Sequence, residues 1–503
     1  MATVTALRPQ THAEHVDMVI VGAGISGIGM AYYLQRDLPG KTYTILEGRD
    51  RVGGTWDLFR YPGIRSDSDL HTYGFAFKPW TDEQSIADGP AILHYIDETV
   101  AENGIDRRIR LGHHVERATW STEDARWTVE ATRKDTGEPV TLTCSWLFCA
   151  AGYYRYEQGY LPQFEGAERF GGKIVHPQHW PQDLDYSGKR VVVIGSGATA
   201  VTLVPAMTDT AAHVTMLQRS PTYVVSLPEK DPVANVLKRI LPPKQAYAIT
   251  RRKNIWLQKT VYRLSQDRPE LVKRMIRGGV RRRLPEGYDI DTHFTPTYKP
   301  WDQRMCAVPD GDLFEAISSG RASVVTDHID TFTENGILLK SGRELEADII
   351  VTATGLDLQL FGGMQIAVDG EPLVPHDHFA YKGFMLSDVP NLAFAVGYTN
   401  SSWTLKVDLV CEFLCRLIVH MDARGATIAT PVNDDPQMGA RPLLDFGAGY
   451  VQRAIDRFPV QGTKAPWTVT MAYAADVECL RHGVVDDGIL RFSGVRERGA
   501  LAA

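Results

Sequence analysis

Two stretches of the chain repeat one pattern, which is a short β-branched apolar run followed by a glycine-rich turn and a helix-like segment. In the first stretch, the run at residues 17–21 leads into the turn at 22–27; in the second, residues 190–194 lead into 195–200. A buried parallel strand is a continuous apolar run, and a turn of this kind lets backbone N–H groups approach a pyrophosphate. The chain is therefore predicted to build two βαβ units that each bind a dinucleotide.

The turn residues explain how each unit would hold its phosphates. The first glycine makes the tight turn, the second allows close approach of the backbone, and the third position needs a small residue where helix and strand pack. A helix N-terminus then faces the anion with its partial positive charge. These positions are Gly22, Gly24 and Gly27 in the first turn and Gly195, Gly197 and Ala200 in the second.

The residue after the second strand of each unit separates the two nucleotides. In the first unit Glu47 follows residues 42–46, and its carboxylate would accept hydrogen bonds from an unphosphorylated ribose, as in FAD or NAD. In the second unit Gln218 and Arg219 follow residues 213–217. A guanidinium pairs with a 2′-phosphate that a carboxylate would repel, so the second site is predicted to prefer NADPH over NADH.

Two dinucleotide sites in one chain indicate electron transfer between two bound cofactors, and one of them must be a flavin because two nicotinamides would gain nothing. The six cysteines contain no C-x-x-C pair, and Cys411 and Cys415 are one turn apart on a predicted helix, where they are typical of a core. No cluster with metal-ligand spacing is visible, so no metal is predicted. Dioxygen is left as the electron acceptor.

The fold predicted from these units is α/β, with two Rossmann-like dinucleotide-binding domains and a helical insertion. A chain of 503 residues is too long for one compact core. We predict a discontinuous FAD-binding domain at 1–150 and 390–503, an NADP-binding domain at 151–225 and 300–389, and a helical insertion at 226–299. Strands that end at Gly152 and Gly355 are expected to complete the two sheets.

Charge is distributed unevenly along the chain. The net charge of −7 gives no reason to expect a nucleic acid partner, but residues 238–283 contain fifteen Lys and Arg against two acids, Asp267 and Glu270. The apolar spacing there is typical of amphipathic helices, which indicates either weak peripheral contact with acidic lipid or a solvated helical face. The N-terminus has no apolar run and the longest apolar stretch, residues 409–421, is too short to cross a bilayer, so a cytoplasmic location is predicted.

The segment between the two turns identifies the family. Residues 170–181 contain Phe170, Gly172, His176, Trp180 and Pro181 in the pattern F-x-G-x-x-x-H-x-x-x-W-P. At every fixed position this resembles the Baeyer–Villiger fingerprint of class B flavoprotein monooxygenases. Residues 53–67 look like the flavin-side segment of that family, and residues 176–181, 216–223 and 300–304 look most like its mycobacterial branch, which activates the thioamide ethionamide. The resemblance covers nearly the whole chain.

The resemblance implies a role for further residues, and we refer to residues 170–181 as the fingerprint segment. It implies Arg304 as the active-site arginine with Asp67 as its carboxylate partner, and it implies that the fingerprint segment couples NADP binding to oxygen chemistry. One departure is Gln303, where many members have a lysine that helps bind the 2′-phosphate. The residues implied to line FAD are Ser26, Glu47, Thr55, Trp56, Asp57, Asp67 and Val115, and those implied to hold NADPH are Arg65, Ser66, Gly195, Ser196, Gly197, Ala198, Thr199, Ala200, Gln218 and Arg219.

The implied reaction is NADPH- and O2-dependent insertion of one oxygen into a ketone, through a flavin C4a-peroxide, to give an ester or lactone. Sulfides and thioamides are implied as second substrates. Three alternatives stay open: a flavin monooxygenase that oxygenates only nitrogen or sulfur, a flavin disulfide or quinone reductase, and a non-catalytic nucleotide-sensing protein. The native substrate and the oligomeric state are not predicted.

Overall fold

The computed structural model describes residues 13–303 and 305–494. The helices, in chain order, are α1 Ile25–Asp37, α2 Thr55–Leu58, α3 Leu70–Tyr73, α4 Gly89–Glu102, α5 Ala198–Met207, α6 Pro232–Ile240, α7 Pro243–Asp267, α8 Pro269–Arg281, α9 Ile290–Phe294, α10 Asp312–Ser318, α11 Trp403–Arg424, α12 Gly449–Gln452 and α13 Tyr473–Asp476.

The strands, in chain order, are β1 Glu14–Val21, β2 Tyr43–Leu46, β3 Ile109–Arg110, β4 His113–Ser121, β5 Arg126–Arg133, β6 Pro139–Cys149, β7 Lys173–Val175, β8 Arg190–Ile194, β9 His213–Gln218, β10 Val224–Leu227, β11 Cys306–Pro309, β12 Ala322–Thr326, β13 Ile329–Phe332, β14 Gly336–Leu339, β15 Glu344–Glu346, β16 Ile349–Thr352, β17 Gln365–Val368, β18 Glu371–Pro372, β19 Ala380–Tyr381, β20 Met385–Leu386, β21 Leu392–Phe394, β22 Ile428–Pro431, β23 Ala440–Pro442, β24 Val460–Gly462 and β25 Leu490–Ser493.

The first sheet has a parallel core in the order β21-β6-β1-β2-β3. The first half of β6 pairs with the antiparallel β5, and its last three residues pair with β21 instead. The strand β4 then extends the sheet to β17 and β18. Because β1 is buried on both faces, its sequence is a continuous apolar run at Val19, Ile20 and Val21.

The second sheet is parallel throughout, in the order β12-β9-β8-β16-β7. Its central strand β8 matches the predicted run at residues 190–194, and β16 contains half of the predicted strand that ends at Gly355. The helix α5 covers one face with buried Val201, Leu203 and Val204. The predicted pair of Rossmann-like sheets is confirmed.

Two connecting segments, residues 150–160 and 353–360, join the sheets. They run antiparallel, with a bridge between Tyr154 and Leu358. The Arg155 N–H donates to the Asp357 carbonyl at 2.9 Å, and the Gln359 N–H donates to the Tyr153 carbonyl at 3.0 Å. The chain therefore leaves and re-enters the first sheet through one paired connection.

The strand pairing bears on the predicted domain boundary at residue 389. The predicted NADP-binding range 300–389 includes β17 and β18, yet β17 pairs with β4 of the first sheet. The pairing thus places the return to the first sheet within residues 353–360, because β17 follows directly. The division into domains otherwise stays a prediction.

The insertion consists of α6 to α9, as predicted, and α7 contacts the first sheet's domain. On α7, the buried Arg251 donates from Nη1 to the carbonyls of His71, Thr72 and Gly74 and from Nη2 to Asp408 Oδ2 at 3.1 Å. This network fixes which face of α7 is turned inward. No helix among the described residues is long and apolar enough to span a membrane.

Candidate functional site

One cavity of about 660 Å³ lies where the two sheets and the connecting segments meet. Its volume lies within the usual range for a small-molecule or cofactor site. Thirteen of the predicted cofactor-binding residues line it, and they come from both nucleotide units: Gly22, Gly24, Ser26, Glu47, Thr55, Trp56, Arg65, Ser66, Asp67, Val115, Gly197, Ala198 and Thr199. The two sites predicted separately thus open into one space.

The first turn has the backbone that a pyrophosphate site needs. Gly22 has φ +104°, and a Cβ there would lie 2.8 Å from the Ala150 carbonyl oxygen. A Cβ on Gly27 would overlap the Gly22 carbonyl oxygen, which explains why that position contains glycine. The helix α1 begins directly after Gly24, so its free N–H groups face the cavity.

Glu47 closes this turn from the end of β2. Its Oε2 accepts from the Ala23 N–H at 2.7 Å and its Oε1 from the Arg49 N–H at 2.9 Å. Burial raises the pKa of the Glu47 carboxyl, and these two N–H donors oppose the rise. The carboxylate is therefore positioned beside the turn, where it can also accept from a ribose hydroxyl.

The second turn repeats the geometry of the first. Gly195 has φ +135° and would overlap the Ala353 carbonyl oxygen if it had a Cβ. Gly24 and Gly197, which precede α1 and α5, share the same backbone angles, φ −79° and ψ −175°. Ala200 is fully buried where Gly27 stands in the first turn. The two turns are thus equivalent in backbone geometry.

The residues after β9 divide into a buried and an exposed group. The Gln218 side chain is buried and donates to the His293 carbonyl and to Thr326 Oγ1, both at 2.8 Å. Arg219 is exposed, and Ser196 Oγ lies 2.8 Å from Thr222 Oγ1 just beyond it. Neither Gln218 nor Arg219 lines the cavity, whereas Thr222 does.

The flavin-side segment contains α2 and its neighbours. Thr55 and Trp56 line the cavity, and Trp56 Nε1 donates to the Tyr73 hydroxyl at 2.7 Å. Asp57 is buried and forms ion pairs with Arg49, at 2.6 Å, and with Arg60. Asp57 does not line the cavity itself. Its carboxylate holds the Arg49 and Arg60 side chains in place next to the cavity.

Val115 meets the cavity at an irregularity in the sheet. The pairing of β4 with β5 shifts register between Val115 and Arg117, which is the signature of a β-bulge. A bulge leaves backbone groups outside the ladder, where they can bond to a ligand in the cavity.

Arg65, Ser66 and Asp67 lie together on the cavity wall. Arg65 Nη1 pairs with Asp312 Oδ2 at 2.5 Å, while its buried Nη2 has no hydrogen-bond partner among the described residues. That nitrogen can donate to a ligand. The predicted catalytic Arg304 lies outside the described residues.

The fingerprint segment lies beside the connecting segments, and none of its five predicted residues lines the cavity. Phe170 and Trp180 are buried in two different clusters of the second domain, and a Cβ on Gly172 would overlap the Asp348 carbonyl oxygen. The His176 ring accepts a hydrogen bond from the Gln178 N–H at Nδ1. Burial lowers the pKa of His176. Pro181 ends the segment five residues later.

Gln178 was missed by the sequence analysis, although it stands inside the fingerprint segment. It is buried, and its Nε2 donates to the carbonyls of Arg155, at 2.8 Å, and Tyr156, at 3.1 Å. This side chain joins the fingerprint segment to the first connecting segment.

The tyrosines after β6 were missed as well. Tyr153, Tyr154 and Tyr156 line the cavity, together with Tyr61 and Tyr398. The sequence Gly-Tyr-Tyr-Arg-Tyr directly after a strand was an available signal, since chain that follows a central strand of such a sheet lies beside the ligand crevice. Trp403 also lines the cavity, and its Nε1 donates to Ser26 Oγ at 2.8 Å.

The positions of the cysteines relative to the cavity show whether a thiol pair lies close enough to react with a flavin there. The six cysteines all belong to the described residues and form no disulfide. Cys411 and Cys415 are buried in α11, as expected for core residues. Among the described residues only Cys306 lines the cavity, so no dithiol is available there to exchange electrons with a flavin.

The fold and the cavity define a protein class, the flavoproteins with two dinucleotide-binding domains. The model of the pyridine nucleotide-disulphide oxidoreductase family matches residues 19–273. The FAD-containing monooxygenase EthA of Mycobacterium tuberculosis is 54% identical over 481 residues, which are 95% of this chain and 98% of that protein. The chain therefore belongs to the FAD-containing monooxygenases of this family.

Solved structures agree with that assignment. An oxidized steroid monooxygenase bound to NADP superposes with a TM-score of 0.70 at 25% identity, over 84% of this chain and 88% of that one. An open cyclohexanone monooxygenase has a TM-score of 0.72 at 21% identity, over 96% and 100% of the two chains, and supports the fold. The predicted enzyme class and FAD are confirmed, and the NADP in the steroid monooxygenase agrees with the second predicted cofactor.

Proposed function

We propose that this monooxygenase uses NADPH and O2 to insert one oxygen atom into ketones, giving esters or lactones, and to oxygenate sulfides and thioamides. The observation that carries the proposal is the single cavity that both nucleotide turns enter. EthA and the steroid monooxygenase support it as relatives. When bound, FAD supplies the transfer of electrons from NADPH to O2.

The chain's own residues would hold the two nucleotides in one space. The N-terminus of α1 and the Glu47 carboxylate fit the pyrophosphate and ribose of FAD. The N-terminus of α5 fits the pyrophosphate of NADPH, and the Arg65 Nη2, which has no hydrogen-bond partner in the described part of the chain, adds a donor on the cavity wall. Arg219 is proposed to meet the 2′-phosphate from its exposed position after β9.

Arg304 is proposed to stabilise the negative charge that develops on oxygen while the ketone reacts. A guanidinium stays protonated near neutral pH, and a fixed cation is most effective where water is excluded. Its chain neighbours Gln303 and Cys306 line the cavity, as does its proposed partner Asp67. The surrounding tyrosine and tryptophan side chains would exclude bulk water.

The test compares the wild-type enzyme with Arg304→Ala on cyclohexanone and on methyl phenyl sulfide, with lactone and sulfoxide quantified. Loss of one electrostatic contact of this kind costs roughly 100- to 1000-fold in rate. We expect lactone formation to fall by that factor while the FAD content stays unchanged. Arg343→Ala, an exposed arginine outside the cavity lining, is the matched control.

Two outcomes would contradict the proposal. Lactone formation at the wild-type rate in Arg304→Ala would remove Arg304 from the chemistry. Sulfoxide without any lactone from the wild-type enzyme would favour the alternative of a monooxygenase that acts only on nitrogen or sulfur.

A reducing compartment such as the cytoplasm stays the proposed location, supported by six cysteines without a disulfide.

A further inference from the structure

Exposed apolar side chains concentrate on the helical insertion. Of the sixteen large apolar residues exposed in the described part of the chain, nine lie between residues 233 and 275, and the other seven are scattered from Leu111 to Val484. Three of the nine are exposed by 60% or more: Ile240 on α6, Trp256 on α7 and Met275 on α8. A concentration of this size marks an interaction surface, whereas isolated apolar residues need no explanation.

The inward face of α7 is fixed by contacts with the first sheet's domain. Tyr247 donates to the Phe75 carbonyl at 2.9 Å, Arg251 pairs with Asp408, and Asn254 Nδ2 donates to Asp69 Oδ1 at 2.8 Å. These residues recur every three or four positions, which is one side of a helix. The opposite side of α7 must therefore face solvent.

The outward face of α7 combines apolar and basic residues. Ile249, Arg252, Trp256, Lys259 and Arg263 are all exposed and follow one another at intervals of three and four. Among the described residues, none of the three basic side chains pairs with a carboxylate. The cations of this face are thus available to an anionic partner.

The neighbouring helices extend this character. On α6, Val233, Val236 and Ile240 are exposed at intervals of three and four, and on α8, Leu271 and Met275 are exposed beside Arg274. Both helices adjoin α7 in the chain and pack against it. We call the exposed residues of α6, α7 and α8 the basic helical surface.

We propose that the basic helical surface binds an anionic lipid bilayer. Helices of this composition lie in the membrane interface, with apolar side chains entering the acyl boundary and Lys and Arg at the head groups. A nucleic acid would use the cations but would leave aliphatic residues such as Ile240 and Met275 in water. The combination therefore favours lipid.

The position of α7 relates this surface to the cavity. Gln258 on α7 accepts from Ser401 Oγ at 3.0 Å, and Ser401 lines the cavity. A helix with its side chains is only about 10 Å across. A bilayer bound to the outward face would thus lie about one helix diameter from the site, where an apolar substrate dissolved in lipid could enter. The binding itself does not depend on the proposed ketone chemistry.

The test is co-sedimentation of the FAD-loaded enzyme with sucrose-filled vesicles. Vesicles of equimolar phosphatidylglycerol and phosphatidylcholine are compared with pure phosphatidylcholine at about 0.1 M salt, where the Debye length is about 10 Å. We expect binding to the anionic vesicles alone, weakened at higher salt. Arg252→Gln/Lys259→Gln/Arg263→Gln should lower the partition coefficient by about 100-fold, since each cation near such a surface contributes several-fold.

A second variant tests the apolar contribution, and two controls match the variants. Ile249→Ser/Trp256→Ser should weaken vesicle binding at least tenfold through lost apolar burial. Arg107→Gln/Lys189→Gln/Arg343→Gln removes the same charge, and Leu161→Ser/Val374→Ser removes exposed apolar side chains, both away from the insertion. Both controls should bind vesicles like the wild type, and all variants should keep FAD and their rate of NADPH oxidation.

Three results would overturn the proposal. The first is an absence of wild-type binding to anionic vesicles. The second is equal binding to a DNA duplex with no effect of Ile249→Ser/Trp256→Ser, which would indicate a nucleic acid surface. The third is a lipid-free dimer that becomes monomeric in that variant, which would assign the surface to self-association. Loss of ketone activity alone, with vesicle binding retained, would bear only on the proposed function.

Discussion

His71 shows how a single buried residue can make stability depend on pH. It lies on α3 beneath α7 with no exposed surface, and neither ring nitrogen has a hydrogen-bond partner among the described residues. Burial lowers the pKa of His71 to about 4. The Asp69 carboxylate opposes this decrease, with its Oδ1 3.8 Å from His71 Nδ1. The other charged groups nearby are Lys238, Asp231 and Lys253. The neutral ring is thus the form that the fold accepts.

The direction of the pH effect follows from that depressed pKa. The unfolded chain takes up this proton near pH 6.5 and the folded chain only near pH 4, so the stability due to neutral His71 is present above pH 6.5 and lost as pH falls. The loss approaches about 3 kcal/mol at 1.36 kcal/mol per pKa unit. We therefore expect the free energy of unfolding of His71→Leu to fall less between pH 6.5 and pH 4 than that of the wild type. Urea unfolding with excess FAD measures both.

An exposed histidine provides the control for this measurement. His94→Leu, at a position whose side chain is 75% exposed, should keep the wild-type pH dependence. The explanation fails if His71→Leu loses as much stability as the wild type between pH 6.5 and pH 4.

The predicted residues that the structure brings beside the cavity belong mainly to local sequence units. Glu47 and the turn glycines belong to continuous βαβ units, so the order of strand, turn and acid was enough to place them beside one cavity. Gln218 also follows its strand, but its side chain is held by His293 and Thr326, far along the chain. Contacts of that kind cannot be seen in a single unit. The roles of all these residues in binding stay predictions.

At the scale of elements, the fingerprint segment contributes the edge strand β7 and the turn that follows it. The strand pairs with β16, whose chain continues into the second connecting segment. Gln178, in the turn, is bonded to the first connecting segment. The segment is thus bonded to the first crossing and paired with the strand that leads into the second, and it does not line the cavity. Its coupling role stays a prediction.

Gln178→Leu tests this connection. It leaves two acceptor carbonyls without their donor, at a cost of roughly 1–3 kcal/mol. If the contact keeps the two domains aligned during turnover, the variant should retain FAD but release several-fold more hydrogen peroxide per NADPH oxidised. Gln182→Leu is the matched control, because Gln182 is exposed and donates only to the Trp180 carbonyl, at 3.3 Å. Equal release of hydrogen peroxide by Gln178→Leu and the wild type would show that this contact of the fingerprint segment is not needed to couple NADPH oxidation to oxygen transfer.

The sequence also predicted several elements closely, and the reason is again local. The strand at 190–194 and the helices within 226–299 follow from apolar runs and amphipathic spacing. The pairing of β17 with β4 joins residues about 250 positions apart, and no periodicity reports such a partner. Only the strand pairing shows where the chain returns to the first sheet, and the division into domains stays a prediction.

At the scale of the whole molecule, the insertion contacts both domains. It is part of the chain of the second domain, while Arg251 of α7 pairs with Asp408 in α11 of the first domain. The sequence showed only a basic segment, in which Arg251 resembles its exposed neighbours. The buried pair decides which side of α7 is left for an outside partner.

We propose that one cavity joins an NADPH site and an FAD site for insertion of oxygen into a ketone. The most direct measurement is turnover of cyclohexanone under ¹⁸O₂, with mass spectrometry of the lactone and parallel assay of NADPH. We expect one ¹⁸O atom in each lactone and one NADPH oxidised per lactone formed, because one oxygen atom is inserted and the other leaves as water. Lactone without ¹⁸O, or NADPH oxidation that yields only hydrogen peroxide across a panel of ketones, would contradict the account.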